Sequence, residues 1–165
     1  MSRGLTGLWV LDEASSDPPT SHLSTLGLGD LAQSAATKIN ATVSLRLMVR
    51  GSEALITHLS SLGEKERRLV FGEATHETGR DGTQIRHVAE LVSSSKMRTH
   101  IDYGKAKIVE TKTLVEPDRM LQEITMVLRG ATTKTMRTFT RTTPENVSAA
   151  LAAAKAAAGA GPLDL

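Results

Sequence analysis

Arg137 and Phe139 stand two residues apart in the run Met136-Arg137-Thr138-Phe139-Thr140-Arg141. In a strand, two such side chains point to the same side. A guanidinium beside an aromatic ring on an otherwise apolar face suits a carboxylate, which it grips through two parallel N–H···O bonds. A charge rarely faces a low-dielectric interior without a partner. The other register places Arg137 in solvent and turns Met136, Thr138 and Thr140 inward, and these residues alone leave both registers open. Lys107 shares a face with Val109 and Thr111 and is a second cation of the same kind, although most strand lysines are solvated.

Other chemistry is sparse. The five histidines, His22, His58, His76, His87 and His100, show no His-Glu-x-x-His or comparable metal spacing. His76 and Glu77 are adjacent, so on a strand their side chains diverge. Each histidine therefore reads as structural or solvent-facing. There is no Cys, which removes disulfides, thiolate nucleophiles and Cys-based metal sites and suits a reducing compartment. Neither a Gly-x-Ser-x-Gly elbow nor a phosphate loop occurs. No cofactor or metal is expected, and no set of acid, base and nucleophile points to an enzyme.

Twenty basic and 18 acidic residues leave a net charge of +2, which is no nucleic-acid footprint. The few aromatics, Trp9, Phe71, Tyr103 and Phe139, do not make a base-stacking platform. The charged run Glu64-Lys65-Glu66-Arg67-Arg68 reads as a turn and a solvated strand edge. Transient contact with an anionic membrane is conceivable there, but the mixed signs argue against strong binding. No apolar run approaches the roughly 18 residues of a membrane span. No h-region of a signal peptide follows Met1, and position 2 is Ser2 rather than the Gly that N-myristoylation requires.

The elements that would position these residues are mostly strands. Leu5 to Asp12 is a short apolar run with one Trp. Asp17 to Lys38 changes period and reads as two short helices separated by Gly27 and Gly29, with Asp17 and Asp30 as N-caps. From Asn40 onward, runs rich in Val, Thr, Leu and Ile recur with turn signals every eight to twelve residues or so. Val43, Leu45, Leu47 and Val49 alternate with polar neighbours. Further strands are expected over Ala54 to Leu59, Arg67 to Phe71, Lys96 to Ile101, Lys105 to Val115, Met120 to Arg129 and Thr135 to Thr142. The centre, Phe71 to Leu91, reads as a hairpin. In it Gly72 opens the first strand, Asp81-Gly82 marks the tight turn, and Ile85, Val88 and Leu91 carry the second strand. One strand, two helices and about nine strands predict an all-β protein, a closed antiparallel barrel of about ten strands. Thr143-Pro144-Glu145 then opens an Ala-rich stretch ending at Gly159. Residues 1–143 form the expected barrel domain, and 144–165 a docked helix or a frayed tail anchored by Val147 and Leu151.

Several of these runs resemble the intracellular fatty-acid-binding protein family of the calycins, over about Leu5 to Thr142. Gly72, Glu77, Asp81 and Gly82 match the spacing of its central hairpin, with Thr75 at the aromatic position and Gly79 at the Thr before the turn. Gly7-Leu8-Trp9-Val10-Leu11 resembles its opening Gly-x-Trp-x-Leu. Leu26-Gly27-Leu28-Gly29 resembles the element between its two helices. Asp102-Tyr103-Gly104-Lys105 resembles a Trp-Asp-Gly-Lys turn without the Trp. Ile124 to Gly130 resembles the penultimate strand, and Arg137-Thr138-Phe139 the terminal Arg-x-Tyr.

The resemblance implies a ten-stranded barrel capped by a helix-turn-helix, with a small lipophilic ligand inside and entry near Leu28, Leu31, Ala32 and Leu62-Gly63. It implies a carboxylate anchor at Arg137. Phe139 takes the place of the usual Tyr and has no hydroxyl, and Thr111 takes the place of a further Arg. A fatty acid, a sterol, a bile-acid-like molecule and another lipid all stay open. The expected protein is a cytoplasmic, monomeric carrier that binds no nucleic acid. Two alternatives differ in kind. A helix-grip ligand-binding domain would show about six strands after the helices, and a small-barrel enzyme would need a catalytic set that the sequence does not display.

Overall fold

The computed structural model describes residues 4–16, 42–61, 63–78 and 82–159. They form ten strands and a helix: β1 (Gly7–Asp12), β2 (Thr42–Arg50), β3 (Glu53–Ser60), β4 (Gly63–Val70), β5 (Ala74–Thr78), β6 (Gln84–Ser93), β7 (Lys96–Asp102), β8 (Ala106–Glu116), β9 (Arg119–Leu128), β10 (Ala131–Arg141) and α1 (Pro144–Gly159). Nine strands follow residue 41 among the described residues, which favours the barrel over the helix-grip arrangement. The segment Asp17 to Lys38, with Leu28 and Leu31, lies outside the described residues.

The strands make one antiparallel sheet in the order β4-β3-β2-β1-β10-β9-β8-β7-β6-β5. All but one of the pairings join sequence neighbours. The exception is β1 with β10, where Leu11 lies opposite Phe139. That pairing turns a meander into a nearly closed barrel with β4 and β5 as its two ends. Arg141 secures this junction. Its guanidinium lies over the Trp9 ring at 4.4 Å and donates to the carbonyl oxygens of Gly4, Thr6 and Pro117 at 2.7–2.8 Å. Gly7 has no Cβ for the same reason: one there would collide with the Arg141 guanidinium.

Hairpin geometry departs from the sequence expectation in three places. Gly72 does not open a strand; it sits in the turn before β5 with φ +82°. In β6 the buried set is Ile85, His87 and Ala89, while Leu91 is exposed. The spacing of three in Ile85, Val88 and Leu91 crosses from one face to the other, because a strand alternates every two residues. The polar Ala131-Thr132-Thr133 extends β10 rather than looping, since Leu128 pairs directly with Ala131 across a tight turn. Gly82 does have the expected positive φ, at +83°. Nothing lies within 4 Å of a Cβ built there, so any penalty for a side chain is purely one of backbone. Gly82→Val is expected to cost roughly 1–3 kcal/mol, read from denaturant melts. Unchanged stability would show that this turn tolerates the left-handed region without glycine.

Helix α1 is docked. Val147 is buried, and Ala150, Leu151 and Ala154 are half-buried, a stripe at i, i+3, i+4 and i+7. The helix lies against β1, β2 and β3, and the Thr143 hydroxyl accepts from the Asn146 N–H at its start. The stripe is mostly methyl groups, so little area is at stake. Removing residues 144–165 is expected to leave the barrel folded and to lower Tm by a few degrees, since about 1 kcal/mol moves a domain of this size by roughly 2–4 °C. Loss of the folded state would make α1 an integral part of the barrel.

Candidate ligand-binding site

On β6, β7, β8 and β9 the inward side chains are apolar at one end, polar in the middle and apolar again at the other, and on β10 the polar Thr135 and Arg137 precede the apolar Phe139. The first apolar cluster includes Trp9, Leu45, Leu47, Ile56, Met120 and Phe139. The second includes Ile101, Ile108, Ile124, Met126 and Leu128. Between them runs a belt of buried polar side chains: His87, Thr99, Glu110, Lys112, Gln122, Thr135, Arg137 and Thr42. Register fixes the belt. Lys112 lies opposite Gln122, and Gln122 opposite Arg137, on three adjacent strands. Neighbouring strands are about 4.8 Å apart, so the three polar groups converge within the reach of one small head group.

Arg137 is 2 % exposed and Phe139 is fully buried, so the inward register is the one adopted. Arg137 Nη2 donates to the Thr42 carbonyl oxygen at 2.7 Å, and its guanidinium carbon sits 5.5 Å from the centre of the Phe139 ring. Burial pushes the Arg137 pKa down to about 10, an effect that the Glu13 carboxylate opposes; at neutral pH it is a cation. Lys112 is also 2 % exposed and pairs with the buried Glu110 carboxylate. Burial lowers the Lys112 amine to about 7. Gln122 Oε1 is buried and has no hydrogen-bond partner among the described residues.

Lys107 and Thr111 do not join this set. Lys107 is exposed, and Thr111 alternates with the buried Glu110 and Lys112, so both lie on the outer face of β8. The inward cation of β8 is Lys112, one residue beyond the position implied by the family resemblance. Sequence reasoning also missed Glu110 and Gln122. Counting back from the Glu116-Pro117-Asp118 turn pairs Leu114 with Met120 and then Lys112 with Gln122. Counting from the Arg129-Gly130 turn pairs Gln122 with Arg137.

The two ends of the sheet are tied by side chains. Arg67 on β4 reaches His87 on β6 at 2.6 Å and Glu77 on β5 at 3.2 Å. The run Glu64 to Arg68 is thus a strand with mostly exposed side chains, but Arg67 turns inward. Burial, with Arg67 beside it, holds the His87 pKa down at about 4. His58, whose Nδ1 lies 3.3 Å from the Thr42 hydroxyl, is held down at about 3 by burial, with Lys112 the largest of the charges acting on it. Both imidazoles are neutral at pH 7. A base with a depressed folded-state pKa contributes stability above its unfolded value of 6.5, and loses it as pH falls toward the folded value. Acid destabilisation is therefore expected to begin below pH 6.5 and to grow down to about 3. His58→Gln with His87→Gln should flatten the Tm profile in that window, and an unchanged profile would assign it to carboxylates instead. No metal-binding group of His, Cys, Asp and Glu exists among the described residues. No helix among them is long and apolar enough to cross a membrane.

No family model matches the sequence, and no curated protein matches it either. Solved structures do. A Schistosoma mansoni fatty acid binding protein in complex with arachidonic acid superposes with a TM-score of 0.62 at 20% identity, over 86% of this chain and 98% of that one. Apo lipid binding protein 8 of Caenorhabditis elegans gives 0.60 at 20% identity, over 83% and 94%. The fatty-acid-binding protein of Drosophila melanogaster brain gives 0.58 at 15% identity, over 81% and 95%. The nearly closed ten-stranded antiparallel barrel of this chain is the fold of these fatty-acid-binding and lipid-binding protein structures.

Proposed function

We propose that the protein binds a small lipophilic carboxylate inside the barrel and serves as a non-catalytic, monomeric, cytoplasmic carrier of it. The observation that carries this reading is the row Lys112-Gln122-Arg137 across β8, β9 and β10, buried between two apolar clusters. Two cations and one carboxylate, Glu110, leave the inner face of this row with surplus positive charge. An anionic head group would neutralise it in a medium where charge pairing is strong. The second apolar cluster, Ile101, Ile108, Ile124, Met126 and Leu128, would hold the tail. The similar structures include a fatty-acid-binding protein holding arachidonic acid, which supports the same class of ligand here.

Phe139 supplies no hydroxyl, so the second polar contact to the head group falls to Lys112 and Gln122. That arrangement tolerates head groups other than a simple fatty acid. Mass spectrometry under native conditions of protein purified from cells tests the reading. A co-purifying acidic lipid, released by organic solvent and replaced by added fatty acid, is expected. Protein that is uniformly ligand-free and fails to displace a fluorescent fatty acid would overturn it.

A further inference from the structure

The surroundings of Lys112 fit a nucleophile. It is an amine 2 % exposed, on the polar belt between two apolar clusters. A carboxylate, Glu110, is its ion-pair partner. Gln122, directly opposite on β9, presents a buried Oε1 that no described residue satisfies. A second cation, Arg137, lies one strand further along the same row.

We propose that Lys112 captures lipophilic aldehydes inside the barrel as an imine, with Glu110 as the proton carrier and Gln122 as the acceptor for the intermediate hydroxyl. This rests on the reading that the barrel admits a lipophilic molecule. The Glu110 carboxylate takes a proton from the Lys112 ammonium. The free amine Nζ attacks the aldehyde carbon, the carbonyl π bond opens, and the resulting oxygen collects the second ammonium proton. The carbinolamine O–H donates to Gln122 Oε1, which gives that buried acceptor its hydrogen bond. Glu110 returns its proton to this hydroxyl, the C–O bond breaks, and water leaves. The product is a protonated imine whose positive charge faces the Glu110 carboxylate. Ammonium, carboxylate and aldehyde have become iminium, carboxylate and water, so neither an oxidant nor a reductant is consumed.

Two physical conditions favour Lys112 over the exposed lysines. Burial lowers its amine to about 7, so the ammonium paired with Glu110 gives up its proton to become the nucleophile far more readily than an ordinary lysine near 10.4. The apolar clusters on either side concentrate a hydrocarbon chain and exclude bulk water, which would otherwise hydrolyse the imine.

The test treats the full chain at pH 7 with decanal and sodium cyanoborohydride, and maps the reduced adduct by peptide mass spectrometry. Labelling of Lys112 is expected to exceed that of the exposed Lys105 and Lys107 by more than about tenfold. Excess 1-decanol should suppress labelling at Lys112 and leave the surface lysines unchanged. Lys112→Arg keeps a cation beside Glu110 and should lose only the buried label. If Lys112 is labelled no faster than Lys105, the proposal is overturned, even where the same preparation still binds a fluorescent fatty acid and the carrier reading stands. If Lys112 is labelled selectively while no fatty acid binds, the imine stands and the carrier reading falls.

Discussion

Lys112→Met is expected to lower stability by about 3–5 kcal/mol, because it leaves the Glu110 carboxylate buried without its counter-charge. Both partners are almost fully enclosed, at 2 % and 6 % exposed, so water cannot replace the lost ammonium. For a domain whose total stability is roughly 5–15 kcal/mol, such a loss brings the variant near the folding threshold. The double variant Glu110→Gln with Lys112→Met removes both charges. It should recover most of the loss, since replacing a buried pair by neutral groups of similar size is often close to neutral. Urea denaturation of the wild type, both single variants and the double closes the cycle and gives the coupling between the two. A single-variant loss below about 1 kcal/mol, the range of exposed pairs, would mean that the pair is solvated and that the belt is open to water.

The barrel was legible in the sequence and its interior only partly so. Alternation in β2 and turn signals after Gly51, Gly104 and Gly130 gave ten strands in the right order, because period two and turn chemistry are local properties. The inward face of β8 was not legible from its own residues. Ala106, Ile108, Glu110 and Lys112 form one face, and Lys107, Val109, Thr111 and Thr113 the other. Each face mixes apolar with polar side chains, so hydrophobicity does not choose between them. The choice is made across strands, by the pairing of Lys112 with Gln122 and of Gln122 with Arg137. The family resemblance puts Thr111 in the place of a further Arg, one residue short of Lys112, and a slip of one residue on a strand moves a side chain to the opposite face.

Arg137 was easier to find because its neighbour is Phe139, and the pair stands out on a strand of threonines. The same logic failed in β6, where Ile85, Val88 and Leu91 look like an apolar run but alternate faces. There the inward position between Ile85 and Ala89 is a histidine, His87. A polar side chain at the mid-height of a strand reads as a break in the pattern when the strand is viewed alone. It reads as part of a continuous belt only when its neighbours in the sheet are known. Sites built one residue per strand are for that reason the least visible in sequence, whatever the quality of the strand assignment.

Arg137→Ala is expected to weaken binding of a long-chain fatty acid by about tenfold or more, and binding of the matching fatty alcohol much less. Acid and alcohol share the same tail, so they share the apolar contribution of about 25 cal/mol per Å² buried. They differ in the head group. Only the acid makes a charge-assisted hydrogen bond to the guanidinium, which contributes roughly 1.5–3 kcal/mol. Arg137 also holds the Thr42 carbonyl oxygen and lies over Phe139, so the alanine variant gives up packing as well as charge. Arg137→Gln helps to separate the two effects, since it keeps an N–H donor and much of the volume while removing the charge and the guanidinium fork. It should show the same discrimination between acid and alcohol with less loss of stability. Lys107→Ala, on the outer face of the same barrel, should change neither affinity. Displacement of a fluorescent lipid by both ligands, for all four proteins, makes the comparison. Equal losses for acid and alcohol in Arg137→Gln would reduce Arg137 to a packing residue, and the positive charge of the belt would then have to act through Lys112.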